Sequence, residues 1–436
     1  MRRILWERGY TLILWAALPF VLVRLFWRGR REPGYRRHIA ERFGNYRARP
    51  QKPVIWVHAV SVGETRAAEP LVRLLAARHP ECEMLITQMT STGRDTAERV
   101  FGGTATLAYL PYDYQFAVRR FLAHFRPRLG VLMETEIWFN LVHACARSGV
   151  PLVLANARLS EKSARGYETV GPLARAALGR LSAVAAQTRA DAERLARLGA
   201  HGVEVTGNLK FDVAAPADAS ALAVELRRRY GSCKVFLAAS TREGEEELLL
   251  DALAGQPLGL ALVVIVPRHP QRFAEVARLF ERRGIAFVRR SEDAAVPVGC
   301  GYVLGDSLGE MAAYYAACDL ALIGGSLLPY GAQNLIEACA AGVPVLIGPS
   351  TYNFAQAAAE AVQSGAALSV ASAVEAVAEA RRLLADEAAR KTMSVAGLAF
   401  CAAHRGASER TAAICERLLT TPPAGAGTPP WQEGSS

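Results

Sequence analysis

Glu64 closes the run His58-Ala59-Val60-Ser61-Val62-Gly63-Glu64, where an apolar stretch gives way to a helical pattern. The helix dipole favours an ionised carboxylate at that place, and such a carboxylate can take a proton from an attacking hydroxyl. Gly63 lets a ligand approach the backbone. Glu64 would serve equally well as a plain helix cap, and position alone leaves both readings open. A second apolar run ends in Met133-Glu134-Thr135-Glu136-Ile137-Trp138. Carboxylates beside an aromatic at a strand's carboxyl end normally face a ligand crevice, although Glu134 could instead bond a loop amide. The fragment Gly207-Asn208-Leu209-Lys210-Phe211-Asp212 adds a cation, Lys210, near an expected hinge.

A different set of groups gathers further along the chain. Arg268, in Val266-Pro267-Arg268-His269-Pro270, is placed to pair a phosphate or stack on a base. The most specific pattern is Ile323-Gly324-Gly325-Ser326, then Gly331-Ala332-Gln333-Asn334-Leu335-Ile336-Glu337, then Ala341-Gly342-Val343-Pro344. Gly324, Gly325 and Ser326 fit a phosphate-binding loop, Asn334 can cap the next helix, and Glu337 can accept ribose hydroxyls. A paired glycine alone is weak evidence; the three fragments in this order point to a nucleotide-sugar donor loop. No metal-ligand spacing stands out, so amides and cations are expected to manage the donor's charge.

These residues need strands to carry them. Val54–His58, 84–87, 129–133, 152–156, 184–187 and 203–206 are short apolar runs suited to parallel strands buried on both faces. Helical patterns lie between them, at 67–78 and 160–178 for example, giving a βαβ series. A second series runs through 235–239, 260–266, 286–288, Tyr302–Leu304, Leu320–Ile323 and Val345–Ile347, and helical patterns close the chain. The expected fold is α/β, with two facing doubly wound Rossmann-like domains and ligands at the strand carboxyl ends. The expected divisions are 1–50 as membrane anchor and basic linker, 51–212 as an acceptor-binding domain, 213–220 as linker, 221–420 as a nucleotide-sugar domain, and 421–436 as a disordered tail.

The formal charge of +10 over 436 residues is concentrated at the start. Residues 1–49 hold twelve Arg against three Glu, a net of +9, so the rest is nearly neutral and nucleic acid is not an expected partner. The arginines bracket the uncharged stretch Tyr10 to Val23, which reads as a short or tilted membrane anchor or an interfacial helix. A cleaved signal peptide fits less well, because the flank after the apolar run is Arg-rich and lacks a small-residue cleavage site. The arginine bias leaves the body of the protein on the cytoplasmic side of that membrane. Eight cysteines without a CxxC pair read as buried small hydrophobes in a reducing compartment.

With those residues in view, the sequence resembles the Kdo transferases, which attach 3-deoxy-D-manno-oct-2-ulosonic acid (Kdo) to the lipid A precursor. The resemblance runs from residue 1 to about 420 and is carried by HAVSVGE (58–64), ETEIW (134–138), NARLS (156–160), GNLKFD (207–212), AASTREGEE (238–246), VPRHPQRF (266–273), GDSLGEM (305–311), GGS (324–326) and GAQNLIEACAAGVPV (331–345). Arg242 stands where the family often has His, and Ala332-Gln333 where it usually has Gly-His. The resemblance implies a GT-B fold and inverting, metal-independent transfer of Kdo from CMP-Kdo to a lipid A precursor at the membrane, without a cofactor. By the same implication Glu64 is the general base, Glu134 and Lys210 organise the site, Arg268 with 324–326 holds CMP, and Glu337 binds ribose. A relative using a UDP-sugar, an epimerase or a non-catalytic membrane scaffold are the rivals.

Overall fold

The computed structural model describes residues 2–31, 33–47 and 49–420; the tail expected at 421–436 lies outside the described residues. The chain forms two compact units, one of Met1–Val213 together with the segment from Arg405 onward, the other of Ala214–His404.

The first unit is built on a parallel sheet of β1 (Val54–His58), β2 (Glu83–Gln88), β3 (Thr106–Tyr109), β4 (Pro127–Met133), β5 (Leu152–Ala157), β6 (Ala183–Ala186) and β7 (Val203–Val205). Their order is β3-β2-β1-β4-β5-β6-β7. Every residue of β1 is buried, because helices cover both faces. Trp56 and Leu154 pack with Phe121 on one face, and Ile55 and Val57 with Leu71 and Leu75 on the other. Each such side chain contributes about 1.5–3 kcal/mol when fully buried. The single buried polar group on the Trp56 ring is satisfied by its Nε1 donating to Thr87 Oγ1 at 2.7 Å.

The second unit repeats the scheme with β8 (Val235–Thr241), β9 (Leu262–Pro267), β10 (Phe287–Arg289), β11 (Tyr302–Leu304), β12 (Leu320–Ile323), β13 (Val345–Ile347) and β14 (Ala367–Ser369), all paired in parallel. The order is β10-β11-β9-β8-β12-β13-β14. In both sheets the connections reverse direction beside the first strand, between β1 and β4 and between β8 and β12. Crevices at such reversal points are where doubly wound sheets bind ligands.

The grouping of 221–420 expected from sequence needs correction at its end. The last helix, Ala407–Thr420, belongs to the first unit. Ala412, Ile414 and Cys415 enter its core beside Ile55, Leu71 and Leu75. Asp212 accepts the Gly406 amide at 2.7 Å and the Ser408 amide at 2.6 Å, which fixes the helix start. The helical pattern at 160–178 is two helices, Glu161–Thr169 and Gly171–Leu178, because Pro172 suits a first turn and breaks a continuous helix.

The N-terminal helix, Arg2–Arg31, runs through Pro19, and its Gly9–Arg30 part is long and apolar enough to cross a membrane by length and composition.

Candidate active site

Glu64 sits in the first turn of helix Val62–Arg78, directly after β1. Its amide donates to the Ser61 hydroxyl oxygen, and its carboxylate accepts from the Val60 amide and the Ser61 hydroxyl, both at 2.9 Å. This is a capping arrangement that reaches back one residue further than the usual capping box. The same bonds fix the carboxylate's direction. Burial, then the negative charge of Glu134, push its pKa up to about 7, against the weaker opposite pull of those two hydrogen bonds. Capping and proton acceptance are therefore compatible in one side chain, and a pKa near neutrality suits a general base.

Glu134 follows β4, next to β1, so the reversal point brings the two carboxylates within electrostatic reach. Its backbone is left-handed, with φ 57°, an uncommon conformation for a non-glycine residue and one concentrated at functional sites. Lys210 Nζ donates to Oε1 at 3.1 Å, Arg158 Nε lies 3.5 Å from Oε2, and the Glu134 side chain is only 15% exposed. Glu136 accepts from Trp138 Nε1 at 2.9 Å, and burial followed by the charge of Glu134 raises its pKa.

The cations are delivered by loops after β5 and β7. Asn156, buried and with φ 53°, accepts the Leu209 amide at 3.0 Å, and Asn208 accepts the Lys210 amide at 3.0 Å. These bonds hold the turn Leu209–Asp212 so that Lys210 reaches back to Glu134. Glu64, Glu134 and Lys210 thus form one cluster. Arg158 and Glu136 complete it; Glu136 is the second of the strand-end carboxylates in the sequence reading, whereas Arg158 stands in its motif fragment with no role assigned. Their positions one and three residues past a strand's carboxyl end were the available signal.

The second unit's expected donor residues are arranged otherwise. Gly324 donates to Ala239 O at 2.8 Å, and a Cβ there would lie 2.4 Å from Ser240 O, so close strand packing demands glycine. The Gly325 amide, at φ 70°, donates to Glu245 at 2.6 Å, and Leu327 donates to the other oxygen at 2.9 Å. The Ser326 hydroxyl donates to Ile323 O and accepts from the Gly348 amide at 2.8 Å. The Gly324 and Gly325 amides and the Ser326 hydroxyl are therefore engaged internally, in the turn that the sequence reading assigns to the donor phosphate. Glu245, buried and separated by eighty residues of sequence, was not anticipated.

Beside this turn, Arg268 Nε donates to Gln333 Oε1 at 3.1 Å, and Arg242 lies 4.5 Å from the Tyr330 ring centroid. Burial lowers the His269 pKa, and the charges of Arg242, Arg268 and Arg272 lower it further, which marks a locally positive field. Asn334 accepts the Ile336 amide at 3.1 Å and donates to Glu337 at 2.9 Å, holding that carboxylate at the start of the helix Ile336–Ala340. A cavity of about 540 Å³ lies elsewhere on this unit, lined by Arg272, Arg278, Arg282 and Tyr330 among others; Arg268 and Glu337 take no part in it. Among the described residues no group of three or more His, Cys, Asp or Glu is placed to hold a metal.

Three carboxylates against two cations in one unit, and an arginine-rich strand end beside a buried turn in the other, can be compared with known proteins. A family described as 3-deoxy-D-manno-octulosonic-acid transferase (kdotransferase) matches residues 37–213. The 3-deoxy-D-manno-octulosonic acid transferase of Bordetella pertussis is 45% identical over 94% of this chain and 99% of its own length. This chain belongs to the Kdo transferase family. The enzyme of the same name from Haemophilus influenzae is 34% identical over 93% of this chain and 97% of its own. Kdo transferases are glycosyltransferases, and solved structures agree in fold. The S. aureus MnaA–UDP co-structure matches with a TM-score of 0.59 at 18% identity, covering 86% of this chain and all of that one. A glycosyltransferase from Rickettsia africae matches with the same TM-score at 11% identity over 86% of this Kdo transferase. The fold is of the GT-B type.

Proposed function

We propose that this Kdo transferase moves Kdo from CMP-Kdo to the lipid A precursor on the cytoplasmic face of the inner membrane, with inversion at the anomeric carbon. The acceptor hydroxyl oxygen bonds to that carbon while its bond to the phosphate oxygen of CMP breaks. CMP leaves with the electron pair, and the hydroxyl proton passes to Glu64. The observation that carries this reading is the Glu64 carboxylate, oriented by Val60 and Ser61 with its pKa at about 7, beside a Glu134 gripped by Lys210 and Arg158.

Glu134 and Lys210 keep the site's charges fixed around the reacting hydroxyl. On the donor side Arg268, with Arg242, supplies positive charge for the CMP phosphate, and Glu337, aligned by Asn334, accepts from the ribose hydroxyls. Gly324, Gly325 and Ser326 support these groups as a closed turn. The N-terminal helix keeps the enzyme at the membrane that holds its acceptor.

Incubating the enzyme with CMP-Kdo and lipid A precursor should give a product heavier by one or more Kdo residues, with CMP released in equal number. Transfer from UDP-sugars with CMP-Kdo left untouched would overturn the donor assignment. A Glu337→Gln enzyme should bind CMP about one to two decades more weakly, since charge-assisted hydrogen bonds are worth about 1.5–3 kcal/mol.

A further inference from the structure

The N-terminal helix has two unlike faces. On one, Tyr10 donates to Asp113 at 2.9 Å, Thr11 meets Asn140 at 3.4 Å and Gln115 at 3.3 Å, and Tyr114 donates to Leu14 O at 2.9 Å. Further along the same face Leu25 is buried at 3% exposure, and Gly29 lies so close to Arg36 that a Cβ would stand 2.5 Å from its Cγ. These contacts with the rest of the unit run from Tyr10 to Gly29. On the other face Leu12, Ile13, Trp15, Phe20, Val23, Phe26 and Trp27 are exposed, Phe20 to 68% and Val23 to 66%. At 100° per residue these positions fill a stripe about 160° wide.

A spanning helix would have to carry Asp113, Gln115 and Asn140 into hydrocarbon or surrender every one of these contacts, and unpaired polar groups there are costly. Length does not decide, since 22 residues suffice to span or to lie flat. Charge does point to the occupant. Arg24 and Arg36 border the apolar stripe, Arg36 reaching Phe26 O, and Arg120 stacks at 5.4 Å on Phe116, which itself touches Trp15. Tryptophans among apolar residues with a basic rim are the composition of a helix seated at a headgroup boundary.

We infer that the N-terminal helix lies in the plane of an anionic membrane surface, docked on the first unit, with the Leu12–Trp27 stripe immersed and its basic rim on lipid phosphates. The inference rests on the membrane reading proposed above and settles how the membrane is engaged.

The test uses full-length enzyme with an N-terminal epitope tag in sealed inside-out vesicles. An in-plane helix leaves tag and body on the same side, so external protease removes both; a protected tag with a digested body would mean a spanning helix and overturn the inference. In flotation with vesicles containing phosphatidylglycerol, the Phe20→Asp, Val23→Asp double variant should bind at least tenfold more weakly at an unchanged thermal midpoint. The Arg24→Gln, Arg36→Gln variant should also lose about tenfold or more on anionic vesicles, each arginine near such a surface being worth about fivefold. Undiminished binding by either variant refutes the assignment. So would lipid-free dimers that the Phe20→Asp, Val23→Asp pair dissociates, because the stripe would then belong to a second copy. Turnover on detergent-dispersed acceptor is recorded in parallel: its absence would sink the proposed reaction, whereas tag protection and flotation judge the helix alone.

Discussion

The Lys210 ammonium donates to Glu134 Oε1 at 3.1 Å, joining residues 76 positions apart. The pair lies beside Glu64, whose pKa Glu134 helps to raise. Two substitutions should consequently move the enzyme's acid limb in opposite directions. Glu134→Gln removes a negative neighbour and should shift the limb of kcat/KM to lower pH. Lys210→Met leaves Glu134 less neutralised and should shift it upward. A loss of rate without movement of the limb in either variant would make the pair merely structural.

Glu64 itself should dominate the chemical step. With its pKa at about 7, the proton-accepting form is lost as pH falls through 7, so kcat/KM should drop about tenfold per unit below that and level off above. In single-turnover measurements Glu64→Gln should lower the rate by roughly 10²-fold or more. CMP affinity by calorimetry should stay the same, because the residues proposed to bind CMP lie in the other unit. Near-normal turnover would reduce Glu64 to a helix cap.

Glu245 is expected to matter for stability. Its carboxylate accepts the amides of Arg242, Gly325 and Leu327, at 2.8, 2.6 and 2.9 Å, and is itself buried. Glu245→Ala leaves three amides without a partner and should cost roughly 3 kcal/mol or more in chemical denaturation. Unchanged stability would show that water replaces the carboxylate.

Turnover by purified enzyme should persist in EDTA, as positive side chains rather than a metal are assigned the donor's charge. The CMP-Kdo must be made beforehand and freed of its synthesising enzyme. Loss of activity restored by Mg²⁺ would contradict the assignment.

Much of the architecture could be read from the residues, for physical reasons. Central parallel strands are buried on both faces and so appear as unbroken apolar runs; β1, β11, β12 and β13 begin and end where those runs do. The edge strands β3 and β14 went unread, since Thr106–Tyr109 and Ala367–Ser369 are short and only partly buried. The carboxylates at strand ends were legible because topology, more than local sequence, decides what such ends face.

What escaped the sequence were partnerships across long separations. Helical periodicity in 408–419 shows that one face must be buried, but not that Asp212 and Leu71 will receive it. The acidic run after Ser240 looks like a favourable helix start, and nothing local shows Glu245 turning toward Gly325. In the N-terminal helix, apolar residues occur on all sides, so the docked face was hidden until Tyr10 found Asp113.

The return of Ala407–Thr420 to the first unit bears on how the protein is made. On the ribosome the strands β1 to β7 emerge early, yet the groove that Ala412, Ile414 and Cys415 fill stays open while all of residues 214–404 are translated. During that interval the nascent first unit exposes Ile55-side core to its surroundings, a state in which chains recruit chaperones or associate wrongly. The unit bearing Glu64 is synthesised first and completed last.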